Sequence, residues 1–546
     1  MEELKLNIIK QINQALGKDL IKSEHIVYPP ESKMGDLSLP CFDLAKELSK
    51  TPNEVAKDLA KKIDAKADGP YLNFNIDKQS LISEILAEIN NEYGTNQDGE
   101  GKKIMIEYSN VNTHKEYHVG HLRNIAYGDA VDRLLLTNGY DAIPVTYVND
   151  FGIHVAKTLW AWKKREQTDA EDMGYLIGHT YVQAVKELED NESGMIEVAE
   201  IMKNIESRQG EDYELWEQTR QWSLDYFQSI YQNLKVKFER SYYESQFVED
   251  GIKLVEDLLK KNILKKSEGA VIADLGDDLG VLVFVRSDGT ALYPVADLAL
   301  AVTKLKEKLF KSIYVVDNRQ TLYFKQLFKV LELMGHKEEM VHLAYDFVKL
   351  PSGMMSSRSG NTITFKELYD QVLTKVIEEI KSRHNWPDDK VQETAQIMAI
   401  GVLKFEMLKV SSSKVINFNI KEALRFDGFT SVYLQYTSAR INSILRKEQP
   451  DNPDFSQLTG KLEQNLVWHL AKYPLAVSIA AKDYEPSQIA KYLFDLSKLF
   501  NDYYHQIPVL KADNKVKQAR LVLISAIKQV LSNGLDLLGI EIVEEM

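Results

Sequence analysis

Cysteine is nearly absent: one residue, Cys41, in a chain of 546. A single thiol excludes an internal disulfide and fits a reducing compartment. No Glu or Cys stands at ligand spacing beside the run His118-Val119-Gly120-His121, so no metal centre is expected there. Runs of 18 or more apolar residues are missing as well, which argues against a membrane-spanning helix. The opening Met-Glu-Glu-Leu-Lys-Leu has no charged-then-apolar leader, and the chain reads as cytoplasmic. Positive charge is also short, with 67 Lys and Arg against 81 Asp and Glu for a net of −14. A protein that coats nucleic acid nonspecifically needs clustered cations, so that class is disfavoured. Residues 416–546 carry 15 charges of each sign, however, which leaves the C-terminal quarter least opposed to a polyanion.

The length suggests three or four domains, and 44% hydrophobic with 27% charged residues is an ordinary globular composition. Residues 1–98 read as a small α+β domain, with helical spacing at 2–16 and 53–63 and an alternating strand at 71–76. A polar linker follows at 91–101. From 102 to 364 the order is strand (102–108), helix (122–136), strand (141–148), helix (155–164), then a second half with strands at 312–316 and 342–348. That order predicts a parallel sheet with right-handed crossovers and ligands beyond the strands' carboxyl ends. A charged helical insertion spans about 166–245, its Trp216, Trp222 and Tyr226 spaced to supply an apolar face. Beyond 365 only helical patterns remain: a connecting region at 365–415 and an all-α bundle at 416–546. The fold class is multidomain α/β.

The chemistry concentrates in the turn between the first of these strands and its helix, Glu107 to Arg123. His118 and His121 are three residues apart and share a face at the helix start, where unsatisfied N–H groups suit a phosphate. Gly120 lets a bulky group approach the backbone, and Lys115 adds charge upstream. The same four residues also fit a plain turn with two half-exposed histidines. Far downstream, Lys349 to Asn361 is rich in small hydroxyl residues and includes Ser356, Ser357 and Arg358; by composition alone it is also a solvated linker.

Together, His-Val-Gly-His and Met-Ser-Ser-Arg-Ser resemble the two signatures of class I aminoacyl-tRNA synthetases, which cradle ATP between them in a Rossmann-like domain. Asn112, the run Tyr293-Pro-Val-Ala-Asp297, Met-Ser-Ser-Arg-x-Gly-Asn, Tyr433-Leu-Gln-Tyr436-Thr-Ser-Ala-Arg440-Ile and the ending Leu-Leu-Gly-Ile with terminal Met546 narrow the resemblance to the arginyl-tRNA synthetases.

The resemblance implies ATP-dependent activation of L-arginine and transfer to the 3′ end of tRNA(Arg), with Mg2+ arriving on ATP and the protein a monomer. It implies that His118, His121, Lys115 and Arg358 serve catalysis and that Gly120, Ser356 and Ser357 serve ATP. Glu107, Asn112, Tyr293, Asp297 and Gln320 would hold arginine; Asp297 alone is equally a helix cap or a surface pair. Asn73, Phe74, Tyr433, Tyr436, Arg440 and Met546 would touch tRNA, although an aromatic in an alternating strand, or tyrosines at i and i+3 on a helix, are also what a core supplies. Two departures stand out. Val111 sits where the family often has proline, and the second signature lacks its usual lysine, leaving Lys115 as the candidate substitute. Another nucleotidyltransferase of the superfamily, a synthetase for cysteine, or a non-catalytic RNA-binding relative are the rival readings.

Overall fold

The computed structural model describes residues 2–29, 34–166, 172–350, 353–354 and 363–546. They form two compact units.

One unit joins Met1–Ile89 to the segments Glu448–Lys472 and Asp502–Ala526. Its three-stranded antiparallel sheet places Tyr71–Phe74 between Leu37–Pro40 and Lys66–Asp68. The central strand is paired along both edges and buries Leu72 and Phe74 among Ile12, Leu39, Val55 and Trp468. Asn73, on the opposite face, is also buried and accepts a hydrogen bond from Ser38 Oγ at 2.7 Å. Asn73 and Phe74, the two residues of this domain expected to touch a base, are both buried. The half-buried ring of that strand is Tyr71, edge-on to the exposed Phe42.

The other unit comprises Asn90–Lys447, Tyr473–Asn501 and Ile527–Met546. Its five-stranded sheet is parallel throughout, in the order Glu339–Tyr345, Lys311–Asp317, Lys103–Glu107, Asp141–Val148, Arg240–Tyr243. The chain steps outward from Lys103–Glu107 in one direction and then returns to build the other side. The strand order thus reverses between Lys103–Glu107 and Lys311–Asp317, and a doubly wound sheet opens its crevice at that point. Arg240–Tyr243 lies inside the stretch expected to be helical insertion. Its four residues are polar and aromatic, without the alternation that marks a half-buried strand. The insertion proper is three helices: Met173–Glu187, Glu192–Glu206 and Glu211–Asn233.

The helix Val119–Thr137 packs on the sheet so closely that a Cβ at Gly128 would overlap the ring of Tyr108. Tyr108 is fully buried and cannot swing away. Gly128→Ala is expected to cost about 1–3 kcal/mol, the range for overpacking a filled core, read as a lower denaturation midpoint with an unchanged slope.

The expected linker at 91–101 is fastened rather than free: the Asn96 and Gly99 N–H groups donate to the carbonyls of Thr137 and Asn138, and Tyr93 stacks on Tyr473. In the helical half, the pattern at 421–447 divides into Ile420–Ala423 and Ser431–Leu445. Gly428 takes φ 94° at the break, and Thr430 caps the second helix through the Tyr433 N–H. The pattern at 461–479 divides likewise, into Lys461–Leu470 and Tyr473–Asp483, with Pro474 in the first turn of the second piece. A two-residue strand, Ile416–Asn417, pairs with Val348–Lys349 where only helix was expected. Among the described residues no helix is long and apolar enough to cross a membrane.

Candidate active site

Past the carboxyl ends of the strands at the switch point lies a pocket of about 230 Å³. Glu107, Asn110, Tyr147, Asn149, Tyr293, Asp297, Tyr314 and Gln320 line it, with Leu300, Phe324 and Leu327 among its apolar walls. Four of the five expected arginine-holding residues meet here. The fifth, Asn112, lies beside the pocket, paired through its backbone with Asn149.

Asp297 is the centre of the arrangement. It sits in the first turn of the helix Pro294–Leu305 and accepts a short hydrogen bond from the Tyr323 hydroxyl. It does not cap that helix: Tyr293 occupies the cap position. Burial pushes the Asp297 carboxyl up to about 6, and the charge of Glu107 adds to the effect. A carboxylate so placed gains most from a cation delivered into the pocket.

Glu107 already has partners. Lys304, buried on the same helix as Asp297, forms an ion pair with its Oε2, and the Asn110 amide donates to Oε1 at 3.1 Å. Burial works against the Lys304 charge, yet the Glu107 carboxylate overcomes it and holds the ammonium above its ordinary value.

Glu244 was not found by sequence reasoning. It follows the short strand Arg240–Tyr243 and accepts from the Asn149 amide at 2.9 Å. Burial, then the charges of Asp297 and Asp150, push its carboxyl up to about 7. Only recognising Arg240–Tyr243 as a sheet strand would have pointed to it, since residues just past such strands face the crevice. The pocket region is therefore strongly acidic, and its size suits a side-chain cation rather than a nucleotide.

The two histidines cap their own helix. His118 is the residue before Val119–Thr137, and its Nδ1 accepts from the N–H groups of Gly120 at 3.1 Å and His121 at 3.4 Å. In return, His121 Nδ1 accepts from the His118 N–H at 3.2 Å. The rings stack with centroids 3.8 Å apart and planes 10° from parallel. Backbone donors that the sequence offered to an anion are thus engaged by the imidazoles. A neutral imidazole that accepts at Nδ1 carries its proton on Nε2, so each ring offers one N–H donor beyond the cap.

Burial pushes the His118 imidazole down to about 4, helped by the charges of Lys115 and Arg319. His121 is held well below its ordinary value by burial, by His118 and by Lys115. Both are neutral donors throughout the working pH range. Gly120 is required by the cap itself, because a Cβ there would lie 2.9 Å from the His118 ring.

Ser356, Ser357 and Arg358 lie outside the described residues. The segments on either side of them do not, and both reach the His118 helix. Before the loop, the carbonyl of Phe347 accepts from Arg123 at 3.0 Å, and the same guanidinium binds the Ser412 and Lys414 carbonyls. After it, Thr364 bridges to His118, and the Phe365 N–H donates to Tyr117 O at 2.7 Å. Lys115 stands over the Tyr181 ring, 5.0 Å from its centroid, and its charge is felt by both histidines.

Tyr433, Tyr436 and Arg440 share one half-buried face of the helix Ser431–Leu445. The Arg440 guanidinium lies 4.7 Å from the centroid of the Tyr436 ring and donates to its hydroxyl at 3.1 Å. It also binds Asn501 Oδ1, while the Asn501 amide donates to the Tyr433 hydroxyl at 3.0 Å. Asn501, from a distant helix, was not anticipated. Met546 is half-buried at the end of a tail whose Glu544 accepts from the Asn442 amide on the same helix.

Comparison with known proteins agrees with this geometry. Residues 81–420 match the family model for the catalytic domain of class I (R) tRNA synthetases, residues 434–546 that for the DALR anticodon binding domain, and residues 2–76 that for the arginyl tRNA synthetase N-terminal domain. The arginine–tRNA ligase of Bdellovibrio bacteriovorus is 37% identical over 100% of this chain and 99% of its own. That of Clostridium perfringens is 36% identical over 99% of each. Among solved structures, Thermus thermophilus arginyl-tRNA synthetase superposes with a TM-score of 0.85 at 28% identity, covering both chains completely.

Proposed function

The chain belongs to the class I arginyl-tRNA synthetases, which join arginine to tRNA at the expense of ATP, and from that premise we propose how its residues divide the work. The arginine carboxylate attacks the α-phosphorus of ATP, arginyl-adenylate forms and pyrophosphate leaves; a ribose hydroxyl at the tRNA 3′ end then takes the arginyl group and AMP departs. The attacking carboxylate is already ionised, so the protein positions reactants and stabilises charge growing on phosphate.

Asp297 takes the guanidinium, with Tyr293 and Gln320 at the pocket rim. Glu107, balanced by Lys304, adds negative potential more than a free carboxylate. Asn112 and Glu244 flank the α-amino end. The His118 and His121 Nε2–H groups receive ATP phosphate and ribose oxygens. Ser356, Ser357 and Arg358 are assigned to the pyrophosphate leaving group, and Lys115 replaces the missing signature lysine. Tyr433, Tyr436 and Arg440, with Met546, offer stacking and cationic contacts to unpaired anticodon bases.

Among the described residues no group of three or more His, Cys, Asp or Glu stands together as a metal cage. The ion comes instead as a companion of the triphosphate, whose oxygens and waters it prefers. The protein acts as a monomer in the cytoplasm, a setting that its lone, buried Cys41 suits.

The observation that carries this reading is the attachment of Phe347, before the second signature, and Thr364, after it, to the helix that bears the stacked imidazoles and to its cap. Its test is Lys115→Ala. Arginine-dependent exchange of labelled pyrophosphate into ATP, run with tRNA present, is expected to slow by about tenfold, the factor for losing one charge-assisted hydrogen bond of about 1.5 kcal/mol, with the KM for arginine unchanged. Wild-type exchange kinetics would remove Lys115 from the reaction.

A further inference from the structure

The helix Pro294–Leu305 carries two buried charges on one side. Asp297 stands in its first turn and Lys304 in its last, seven residues apart, which is two turns and about 10 Å along the axis. Asp297 lines the pocket. Lys304 stands at the pocket wall: its ammonium pairs with Glu107 and lies 4.4 Å from the centroid of the Tyr314 ring, and Glu107 and Tyr314 are both lining residues.

Glu107 is the middle of a chain of polar contacts. Its Oε2 takes the ammonium, and its Oε1 takes the Asn110 amide at 3.1 Å. The direction of that chain is fixed at the lysine end. Facing an ammonium, which only donates, Glu107 is a carboxylate, which only accepts, so Asn110 must turn its NH2 toward Glu107. The Asn110 carbonyl oxygen is then turned away from Glu107. It is buried and has no hydrogen-bond partner among the described residues, and Asn110 lines the pocket. An unpaired buried acceptor is costly, and a ligand that brings an N–H to it recovers the loss.

We propose that Asn110 is a specificity-determining residue whose Oδ1 accepts an N–H of the guanidinium, and that Lys304 is the positioning residue that presents this oxygen, acting through Glu107. The proposal rests on the assignment of this pocket to the arginine side chain. What it adds is selection against citrulline, the neutral isostere of arginine. A guanidinium has five N–H donors and no acceptor, whereas a ureido group puts a carbonyl oxygen where one NH2 stood. Acceptors in the lining satisfy the first and leave the second unpaired. With the ammonium removed, a buried carboxyl takes a proton and becomes a donor. The amide is then free to reverse, and its NH2 suits the ureido oxygen.

The experiment measures pyrophosphate exchange on the full chain with tRNA present, giving kcat/KM for arginine and the inhibition constant of citrulline against it. The variants are Lys304→Met, Asn110→Ala, the Lys304→Met/Asn110→Ala double and Asp297→Asn. Lys304→Met and Asn110→Ala are each expected to narrow the preference for arginine over citrulline by about tenfold to a hundredfold, the range for one hydrogen bond to a charged group. The double variant should be no less selective than the less selective of its two parents, because Lys304 acts on selectivity only through that amide.

Reduced arginine activity with an unchanged preference, in either single variant, overturns the proposal, since a misshapen pocket serves both isosteres equally badly. Multiplicative losses of preference in the double variant overturn it as well. So does tighter arginine binding by Lys304→Met, which would mean that Glu107 stays an ionised, free carboxylate. Should Lys304→Met fail to melt cooperatively, the preference of Asn110→Ala decides alone. The underlying assignment is read separately: wild-type constants for both ligands in Asp297→Asn overturn the pocket reading, while a preference lost there but kept in the other variants overturns only the proposal.

Discussion

Replacing Asp297 by asparagine is expected to lower kcat/KM for arginine by about a thousandfold, or ~4 kcal/mol, within the range for truncating one partner of a buried charge pair. The side chain keeps its size, so the loss is electrostatic. The pocket lining has a second carboxylate in Glu107, but Lys304 already balances it, and amide for carboxylate at Asp297 leaves an entering guanidinium with no unbalanced carboxylate in that lining. A pH dependence accompanies the same residue. Because burial holds its carboxyl at about 6 in the empty pocket, arginine must displace a proton below that pH, and wild-type KM should rise about tenfold per unit as pH falls from 6. The asparagine variant should lose that slope.

Stability should move the other way. A carboxyl raised above its unfolded value stabilises the fold at low pH and loses that contribution as pH rises through 6, so at pH 7.5 the ionised Asp297 is a burden on the fold. Asp297→Asn should therefore melt no lower than wild type, and higher if Tyr323 keeps its hydrogen bond. A residue retained for packing would show the reverse; equal losses of activity and melting midpoint would mean that Asp297 holds the helix rather than the substrate.

Much of this was legible in the sequence because local chemistry and global fold agree there. The apolar run ending at Tyr108, the polar turn and the Asn138-Gly139 stop mark strand, site and helix, and the structure gives Lys103–Glu107 and Val119–Thr137. What periodicity could not supply was whatever depends on a partner remote in sequence. Lys304 reads as the exposed lysine of a helix end; only the sheet brings Glu107 beneath it. Asn73 and Phe74 alternate like a half-exposed strand, but contacts remote in sequence bury them both, Asn73 against Ser38 and Phe74 in the domain core.

Spacing of three residues put His118 and His121 on one side of a helix, but it could not say that each ring would cap the other's backbone. The strand before Glu244 is too short and polar to leave a pattern, and with it a half-buried acid beside the pocket was lost from view. The insertion suffered similarly: its aromatic spacing announced an apolar face, while its grip on His114–Glu116 depends on two small features, Gly178 and the paired hydroxyls of Thr219 and Ser223.

The reciprocal histidine cap allows the structural and chemical parts of His118 to be separated by substitution. Asparagine is among the best residues at a helix N-cap, its Oδ1 accepting from the same first-turn N–H groups that His118 Nδ1 now satisfies. It has no donor at the position of Nε2. His118→Asn should therefore keep the melting midpoint while slowing arginine activation by about a hundredfold, the loss typical of one donor aimed at developing charge. His118→Ala should lose both, with about 1 kcal/mol less stability than the asparagine variant from the missing cap. Since burial holds the His118 imidazole at about 4 and His121 well below its ordinary value, neither variant should change the shape of the activation pH profile between 6 and 8. If His118→Asn instead activated arginine at the wild-type rate, the imidazole would be a cap and nothing more, and the phosphate would have to be held by the backbone and Lys115.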